Sequence, residues 1–322
     1  MRFSVCLACN DDISVFKEQV QMLDDQGFHY LWLTDLGLKG MDVFAFMTLA
    51  AIHSTRIRIA AAVHPPQLRH PAVTLNGLVT LEAMAEGRVG YGIGMGADAL
   101  VRAMGHRPLT LKSMRELVML SHRLMAGEAV NSQTPELVMV DAALSRTPRL
   151  PLPIYLAATG PNTLAVAGEI ADGVIAHVGA AEETIRAALS SCAEGARQRT
   201  RPEPLDFTPY LYASIATQRE HAIAACVRGA RTVAMRAPHL AGAAGCSAAQ
   251  VQRLQQKDAD IDDILTDEFV DKLTLSGTVA DCTAKLERIR ELGVDHVTLY
   301  LRGGDVTDQI NSFAKEILPR FR

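Results

Sequence analysis

The chain lacks the sequence features of membrane proteins and of general nucleic-acid binders. No apolar run reaches the roughly 18 residues that are needed to cross a bilayer. Neither sign of charge is in large excess, because 32 lysines and arginines stand against 36 aspartates and glutamates, which gives a formal net charge of −4. A chain of this charge has no general attraction to nucleic acid or to an anionic membrane. We therefore expect neither nucleic acid nor a membrane as its partner.

Signals for metal binding, for serine-hydrolase chemistry and for export are also missing. No set of histidine, cysteine, aspartate and glutamate residues has the spacing of a metal site, and no G-x-S-x-G motif occurs. The N-terminal stretch meets Asp11 and Asp12 early and has no basic start followed by an apolar core. We therefore expect no signal peptide.

The cysteines are few and widely spaced. Six of them are scattered over the chain, which is typical of reduced thiols and predicts a cytoplasmic protein. Cys6 and Cys9 have the spacing of a C-x-x-C redox pair. They fall in a predicted strand, where residues three apart point to opposite sides, so a redox dithiol is not favoured.

Composition and length set the size of the fold. The hydrophobic fraction of 48% and the charged fraction of 21% are typical of a soluble globular protein with a large core. A length of 322 residues fits about two domains or one α/β barrel with insertions. No segment resembles a linker, so residues 1–322 are predicted to form a single domain.

Hydrophobic periodicity divides the chain into eight units of strand and helix. The predicted strands are 3–8, 30–34, 57–63, 88–95, 154–157, 173–177, 207–216 and 294–301. Helices with one apolar face lie between them, for example at 43–53 and 111–125. Two stretches break this pattern, at about 127–150 and about 234–276, and we interpret both as insertions.

This alternation predicts an α/β fold. Strands that alternate with helices of about 10–15 residues imply parallel pairing through right-handed crossovers. Eight such units close best as a (β/α)8 TIM barrel, whose active site lies at the C-terminal ends of the strands. An open, doubly wound sheet is the alternative.

The fourth predicted strand carries a glycine at every second position, at Gly90, Gly92, Gly94 and Gly96. Alternate residues of a strand face the same side, so one side is bare and something must approach the backbone there. For the first two glycines we favour tight packing. For Gly94 and Gly96, with Met95 between them, we favour a flat ligand that lies on the backbone.

Thr159, Gly160, Pro161 and Asn162 follow the fifth strand and open a helix. Proline suits the first helical turn, and a helix start with free amides binds phosphate well. An ordinary strand-to-helix turn is the alternative. The superficial G-x-G-x-x-A match at Gly92 lacks the acidic ribose partner that a dinucleotide fingerprint needs.

Three polar residues lie at strand ends, at Asp35, His64 and His177. Asp35 directly follows an apolar strand and is expected to face the barrel mouth, with a helix cap as the alternative. His64 is a candidate catalytic acid, or else a polar loop histidine beside two prolines. His177 is a candidate cofactor-binding residue because it ends the sixth strand.

Eight segments together resemble a known family. They are GFHYLWLTD at 27–35, DVFAFMTLAA at 42–51, RHPAVT at 69–74, EGRVGYGIGMG at 86–96, GPN at 160–162, AGEIADGVI at 167–175, SGT at 276–278 and LGVDHV at 292–297. The chain resembles the luciferase-like family of flavin- and deazaflavin-dependent oxidoreductases. Within it, the chain is most similar to the methylenetetrahydromethanopterin reductase branch, which uses coenzyme F420.

The resemblance implies how the site is built. The third strand should end in a bulge with a non-proline cis peptide, which by position is Ala62–Val63 and which presses on the cofactor ring. Asp35 and the segment Gly94, Met95 and Gly96 should line the ring, and the Gly160-Pro161-Asn162 turn should hold the phosphate. The implied chemistry is hydride transfer with F420 or, with reduced FMN, oxygen activation. Family members are commonly homodimers.

Two positions depart from the family pattern. Reductases of the branch carry a carboxylate at the end of the first strand, where this chain has Cys6. Sugar-phosphate dehydrogenase relatives carry a glutamate directly after the glycine strand, where this chain has Ala97. Beside an active F420-dependent enzyme and an FMN-dependent monooxygenase, a flavin-binding relative without catalysis therefore remains open.

Overall fold

The computed structural model describes residues 1–9, 12–96, 98–134, 136–256 and 260–322. The strands are β1 (Arg2–Ala8), β2 (Tyr30–Thr34), β3 (Arg58–Ala61), β4 (Tyr91–Ile93), β5 (Val130–Thr134), β6 (Leu137–Ala142), β7 (Ile154–Ala158), β8 (Gly173–Ala176), β9 (Asp206–Ile215), β10 (Leu275–Gly277) and β11 (His296–Leu301).

The α-helices connect these strands. They are α1 (Ile13–Asp25), α2 (Val43–Ile52), α3 (Pro71–Met84), α4 (Asp98–Ala103), α5 (Leu111–Met125), α6 (Pro161–Ile170), α7 (Glu182–Ala196), α8 (Arg219–Arg236), α9 (Pro238–Ala243), α10 (Ala248–Leu254), α11 (Asp267–Leu273), α12 (Val279–Glu291) and α13 (Val306–Glu316). Short 3-10 turns span Gly37–Lys39 and Leu318–Phe321.

Eight parallel strands form the barrel. Their order is β3-β2-β1-β11-β9-β8-β7-β4. Bridges between Ile59 and Val89 and between His64 and Ile93 join the two ends of this sheet. The predicted (β/α)8 barrel is therefore confirmed, and the open sheet is excluded because β3 and β4 meet.

Large side chains fill the barrel interior. Tyr30 and Trp32 point inward from β2 and meet Tyr155 from β7, with ring centroids 5.6 and 5.0 Å apart. These strands are not neighbours in the sheet, so the contacts run across the lumen. Ile175, Cys6 and Ala60 complete this inner cluster. The alternate residues of the strands, such as Leu31 and Leu33, belong to the larger core instead.

Both predicted insertions contain structure that the sequence pattern did not reveal. Residues 127–150 include an antiparallel hairpin of β5 and β6. Its first strand reads VNSQT, and a strand that buries Ser132 gives little hydrophobic alternation. Pro135 lies outside the described residues. The segment 234–276 holds α9, α10 and α11, and it ends in the three-residue strand β10, which pairs with the end of β9.

Two predicted strands are at least three residues shorter in the structure. β3 ends at Ala61, two residues before the predicted end, and β4 keeps only the three residues from Tyr91 to Ile93. Residues 62–63 and 94–95 become irregular backbone at the C-terminal rim of the barrel. Within the described ranges, no helix combines the length and the apolar character that a bilayer crossing requires. All six cysteines are free thiols.

Candidate active site

The C-terminal rim of the barrel forms an open mouth. Partly exposed residues surround it, at Thr34, Asp35, Ala62, Val63, Ala157, His177, Tyr210, Tyr300 and Arg302. Directly below them the inner cluster is buried, with Trp32 and Cys6 almost fully covered. Because the strands are parallel, all of these ends meet at one face, where TIM barrels place their active sites.

Asp35 and His64 form a hydrogen-bonded pair at this rim. His64 Nδ1 lies 2.7 Å from Asp35 Oδ2, and the other carboxylate oxygen accepts a hydrogen bond from the Gly37 amide at 3.0 Å. The cap of α2 is Asp42, which accepts from the Ala45 amide. Asp35 is therefore not the cap of that helix, and its role at a cofactor ring stays a prediction.

The surroundings of His64 differ from those of a loop histidine. Its ring is 2% exposed, and its Nε2 lies 3.3 Å from the Thr74 hydroxyl. The Phe44 ring packs edge-on against it at 5.3 Å. Both ring nitrogens thus have protein partners. This geometry favours a role in positioning Asp35 over direct proton transfer to a substrate.

The peptide bond between Ala62 and Val63 is cis, as the resemblance implied. The Ala62 amide donates a hydrogen bond to the Leu33 carbonyl at 2.7 Å, which holds the bulge onto β2. Both side chains are partly exposed and pack against the inner cluster. The bulge therefore presents two small apolar side chains to the mouth.

Glycines in β4 and directly after it make room for this bulge. A side chain at Gly92 would collide with the Ala61 carbonyl, and one at Gly94 would collide with the Val63 side chain. A side chain at Gly96, where φ is +71°, would lie 2.7 Å from the Pro65 ring. The protein itself therefore fills the side of Gly94 and Gly96 on which a flat ligand was predicted. Any cofactor contact by this segment, including the exposed Met95, stays a prediction.

The predicted phosphate turn is open to solvent. Gly160 is the N-cap of α6 and offers no side-chain cap, and Pro161 occupies the first turn. Space surrounds the position where a Gly160 side chain would begin. Pro161 and Asn162 are exposed, and Thr159 is partly buried. The turn leaves room for a phosphate at the helix start, and this assignment stays a prediction.

His177 lies among tyrosine rings that sequence reasoning did not identify. Its ring centroid is 5.4 Å from that of Tyr210 and 5.7 Å from that of Tyr212. Burial, with Arg236 nearby, lowers the pKa of His177 to about 4, so the ring is neutral at pH 7. Its Nε2 is buried without a hydrogen-bond partner among the described residues.

Tyr300 and Arg302 extend this cluster from β11. The Arg302 guanidinium lies 4.1 Å from the Tyr300 ring centroid and 5.5 Å from that of Tyr212. A signal was present in the sequence, because Tyr210 and Tyr212 lie two residues apart on one strand and therefore on one face, and Tyr300 lies near the C-terminal end of another strand. Nothing in the sequence showed that these two strands are neighbours.

Cys6 is the first of the two departures from the family pattern. Its side chain is 1% exposed and lies close to the Tyr210 side chain. Burial raises the pKa of the Cys6 thiol to about 12, so it is neutral and a poor acid at pH 7. The second departure, Ala97, lies outside the described residues.

At the opposite end of the barrel, the fold gathers a cluster that no sequence spacing signalled. One ligand-type atom from each of His29, Asp206 and His296 lies within 4.8 Å of the others. The Asp206 carboxylate already accepts hydrogen bonds from Arg2, from His296 and from Tyr155, at 3.0, 3.1 and 2.6 Å. Because the Arg2 guanidinium already neutralises that carboxylate, we interpret this cluster as structural.

Comparison with known proteins identifies the family. The model of the luciferase-like monooxygenase family matches residues 1–296. The chain belongs to this family. It is 29% identical to the 5,10-methylenetetrahydromethanopterin reductase of Archaeoglobus fulgidus, over 94% of each chain. It is 27% identical to the F420-dependent glucose-6-phosphate dehydrogenase of Beutenbergia cavernae, over 85% of this chain and 81% of that one.

A solved structure agrees in fold. The coenzyme F420 dependent tetrahydromethanopterin reductase from Methanopyrus kandleri superposes with a TM-score of 0.87 at 21% identity, over 100% of this chain and 99% of that one. The resemblance seen in the sequence is confirmed. The chain is an oxidoreductase of the luciferase-like family.

Proposed function

We propose that this protein is an F420-dependent oxidoreductase that transfers a hydride between the deazaflavin and a small organic substrate. The observation that carries the proposal is the bulge after β3, where the small apolar side chains of Ala62 and Val63 lie partly exposed at the open barrel mouth. Over the aligned residues, this chain is 27% identical to an F420-dependent dehydrogenase and 29% identical to a reductase.

The residues at the mouth fit a flat ring with a phosphate-bearing tail. Ala62 and Val63 provide an apolar surface against which a ring can lie. Asp35, held by His64, provides a fixed hydrogen-bond acceptor at the edge of that surface. Gly160 leaves space in front of the first amides of α6, where a helix start favours negative charge.

The bound deazaflavin would supply the chemistry, as a carrier of hydride. The protein's part is to hold the ring and the substrate in contact and to exclude water. Apolar residues of the loop after β2 suit the second task, since Leu36, Leu38 and Met41 are 41%, 78% and 43% exposed beside the mouth. We propose that they cover the ring once it is bound.

The phosphate assignment is tested by Gly160→Val. Gly160 has φ −87° and ψ 156°, which valine also adopts, so the fold should be kept while the side chain obstructs the helix start. We expect F420 affinity, measured by titration, to fall at least tenfold, or about 1.4 kcal/mol. Gly242→Val is the matched control, because Gly242 is exposed on α9 and also has free space around it. Unchanged affinity in folded Gly160→Val would exclude the turn as the phosphate site.

A flavin monooxygenase is the second candidate, and the family description favours it. Absorbance titration of the purified protein with F420 and with FMN separates the two. We expect F420 to bind at least tenfold more tightly than FMN. The reverse order would replace our proposal with an FMN-dependent enzyme, and binding of neither would favour a relative that has lost the cofactor.

A further inference from the structure

The wall of the mouth opposite the bulge is lined by tyrosine rings, whereas the bulge itself presents small apolar side chains. Counting around the barrel, β9 is four strands from β3 in either direction, so Tyr210 faces the Ala62–Val63 side across the lumen. The rings of Tyr210, Tyr212 and Tyr300 pack together there, with centroids 5.5 to 6.0 Å apart. A substrate that lies between a cofactor ring on the bulge and this wall must touch these tyrosines.

This wall carries positive charge that the described part of the chain does not neutralise. Arg302 lies over two of the rings, and its Nε is buried without a hydrogen-bond partner. Arg236 lies close to Tyr212 and His177. Among the described side chains, no carboxylate is within 4.0 Å of either guanidinium.

The other polar groups of the wall do not supply a negative charge. Burial raises the pKa values of Tyr210, Tyr212 and Tyr300 above the usual value for tyrosine, and it raises that of Cys6 to about 12. All four groups are therefore neutral at pH 7. An arginine in a partly buried, aromatic and neutral wall is stabilised when an anion binds to it, because a desolvated charge interacts more strongly with its partner.

We propose that Arg302 and the three tyrosines form a subsite for the carboxylate of an anionic substrate. The proposal rests on the proposed function, since the reacting carbon would face the ring on the opposite wall. The planar guanidinium suits a carboxylate, which it can bind through two parallel hydrogen bonds. The tyrosine rings would contact the carbon skeleton next to that group. The substrate class is therefore a small organic acid with an apolar or aromatic body.

The test uses pairs of probes that differ only in charge. Benzoate and benzamide are nearly the same size, as are acetate and acetamide. Binding of each to the full chain is measured by calorimetric titration, with and without saturating F420. We expect the carboxylate of at least one pair to bind tenfold or more tightly than its amide. Equal affinities within both pairs, or no binding of either carboxylate, would overturn the proposal.

Two substitutions at Arg302 test whether this residue causes the preference for the carboxylate over the amide. Arg302→Met keeps the length of the side chain and should abolish the preference for the carboxylate. Arg302→Lys keeps the charge without the planar fork and should restore part of it. Arg58→Met is the matched control, because Arg58 lies 5.9 Å from the Tyr30 ring centroid at the other end of the barrel. A preference that survives in folded Arg302→Met would overturn the proposal.

The same titrations separate this proposal from the proposed function. If F420 does not bind but the carboxylate preference depends on Arg302, the cofactor assignment fails and the anion subsite stands. An acidic group of the cofactor itself is the other source of a carboxylate at this wall. In that case Arg302→Met would weaken F420 binding tenfold or more, which would overturn the assignment to substrate.

Discussion

At the scale of single residues, the Asp35–His64 pair is held at the barrel mouth by hydrogen bonds on both side chains. Replacing His64 by phenylalanine keeps an aromatic ring in the pocket and removes both hydrogen bonds. Because a hydrogen bond to a charged group contributes about 1.5–3 kcal/mol, we expect the free energy of unfolding in urea to fall by about that amount. Asp35→Ala should show a coupling of about 1 kcal/mol with His64→Phe in a double-mutant cycle.

Asp42→Ala is the control for that cycle. It removes the cap of α2, whose loss costs about 1 kcal/mol, and no hydrogen bond joins Asp42 to His64. Its effect should add to that of His64→Phe. If Asp35→Ala is equally additive, the pair does not stabilise the rim.

A second prediction at the residue scale concerns pH. Burial, together with His296, Arg58 and Arg2, lowers the pKa of His29 from 6.5 to about 3. Between these pH values the unfolded chain binds a proton at His29 that the folded chain does not, so the free energy of unfolding falls as pH falls. Between pH 6 and 4.5 this loss should amount to roughly 1–2 kcal/mol.

His29→Gln should reduce the slope of stability against pH in that range, as measured by urea unfolding at several pH values. His177→Gln is a parallel case, because the pKa of His177 is lowered in the same direction, to about 4. Some slope should therefore remain in each single variant. A slope identical to that of the parent chain in His29→Gln would contradict the assignment of His29 as neutral in the folded protein.

At the scale of secondary-structure elements, β4 and the bulge after β3 fit together only because of glycine. Gly94→Ala should place a methyl group against Val63, and overpacking of this kind costs about 1–3 kcal/mol. Val63→Ala in the same chain should recover part of that loss, because it removes the Val63 methyl group in closest contact and leaves the Cβ atoms of residues 63 and 157. The measurement is the free energy of unfolding of the two single variants and the double variant.

Gly92→Ala is the contrasting case on the same strand. There the methyl group would meet the carbonyl of Ala61, a backbone atom that no side-chain substitution removes. Val63→Ala should therefore not rescue it. Equal rescue at both positions would mean that Val63 does not fill the space beside Gly94 specifically.

At the scale of the whole molecule, the fold protects its thiols. All six cysteines are free, and only Cys246 is more than slightly exposed. Burial raises the pKa values of Cys6, Cys9, Cys192, Cys226 and Cys282 to about 12. Because the thiolate is the reactive form, these five should react slowly with a thiol reagent at pH 8.

We expect the native protein to show one fast-reacting thiol, at Cys246, and the denatured protein to show six. Cys246→Ser should remove the fast phase and leave stability nearly unchanged. A fast phase from Cys6 or Cys9 would mean that the barrel mouth opens to the reagent.

The homodimer that the family resemblance implies is tested by the molar mass of the protein in solution, which we expect to be twice that of the 34.8 kDa chain.

The sequence by itself determined the order and the type of most elements. β2 at Tyr30–Thr34 and α5 at Leu111–Met125 have the predicted bounds, because their apolar periodicity is regular. The cis peptide at Ala62–Val63 was located through resemblance, since the surrounding motifs fixed its position in the chain. The hairpin of β5 and β6 escaped prediction because its buried positions include a serine.

Only the tertiary structure decided which side chains share the mouth. Asp35 pairs with His64 and Val63 fills the space beside Gly94, because β2, β3 and β4 are adjacent in the barrel. Arg302 reaches Tyr212 because β11 pairs with β9, a register that joins residues about 90 positions apart. Hydrophobic periodicity in the sequence predicts which face of each helix or strand is buried. Contacts across the lumen depend on strand order and register, which no local pattern records.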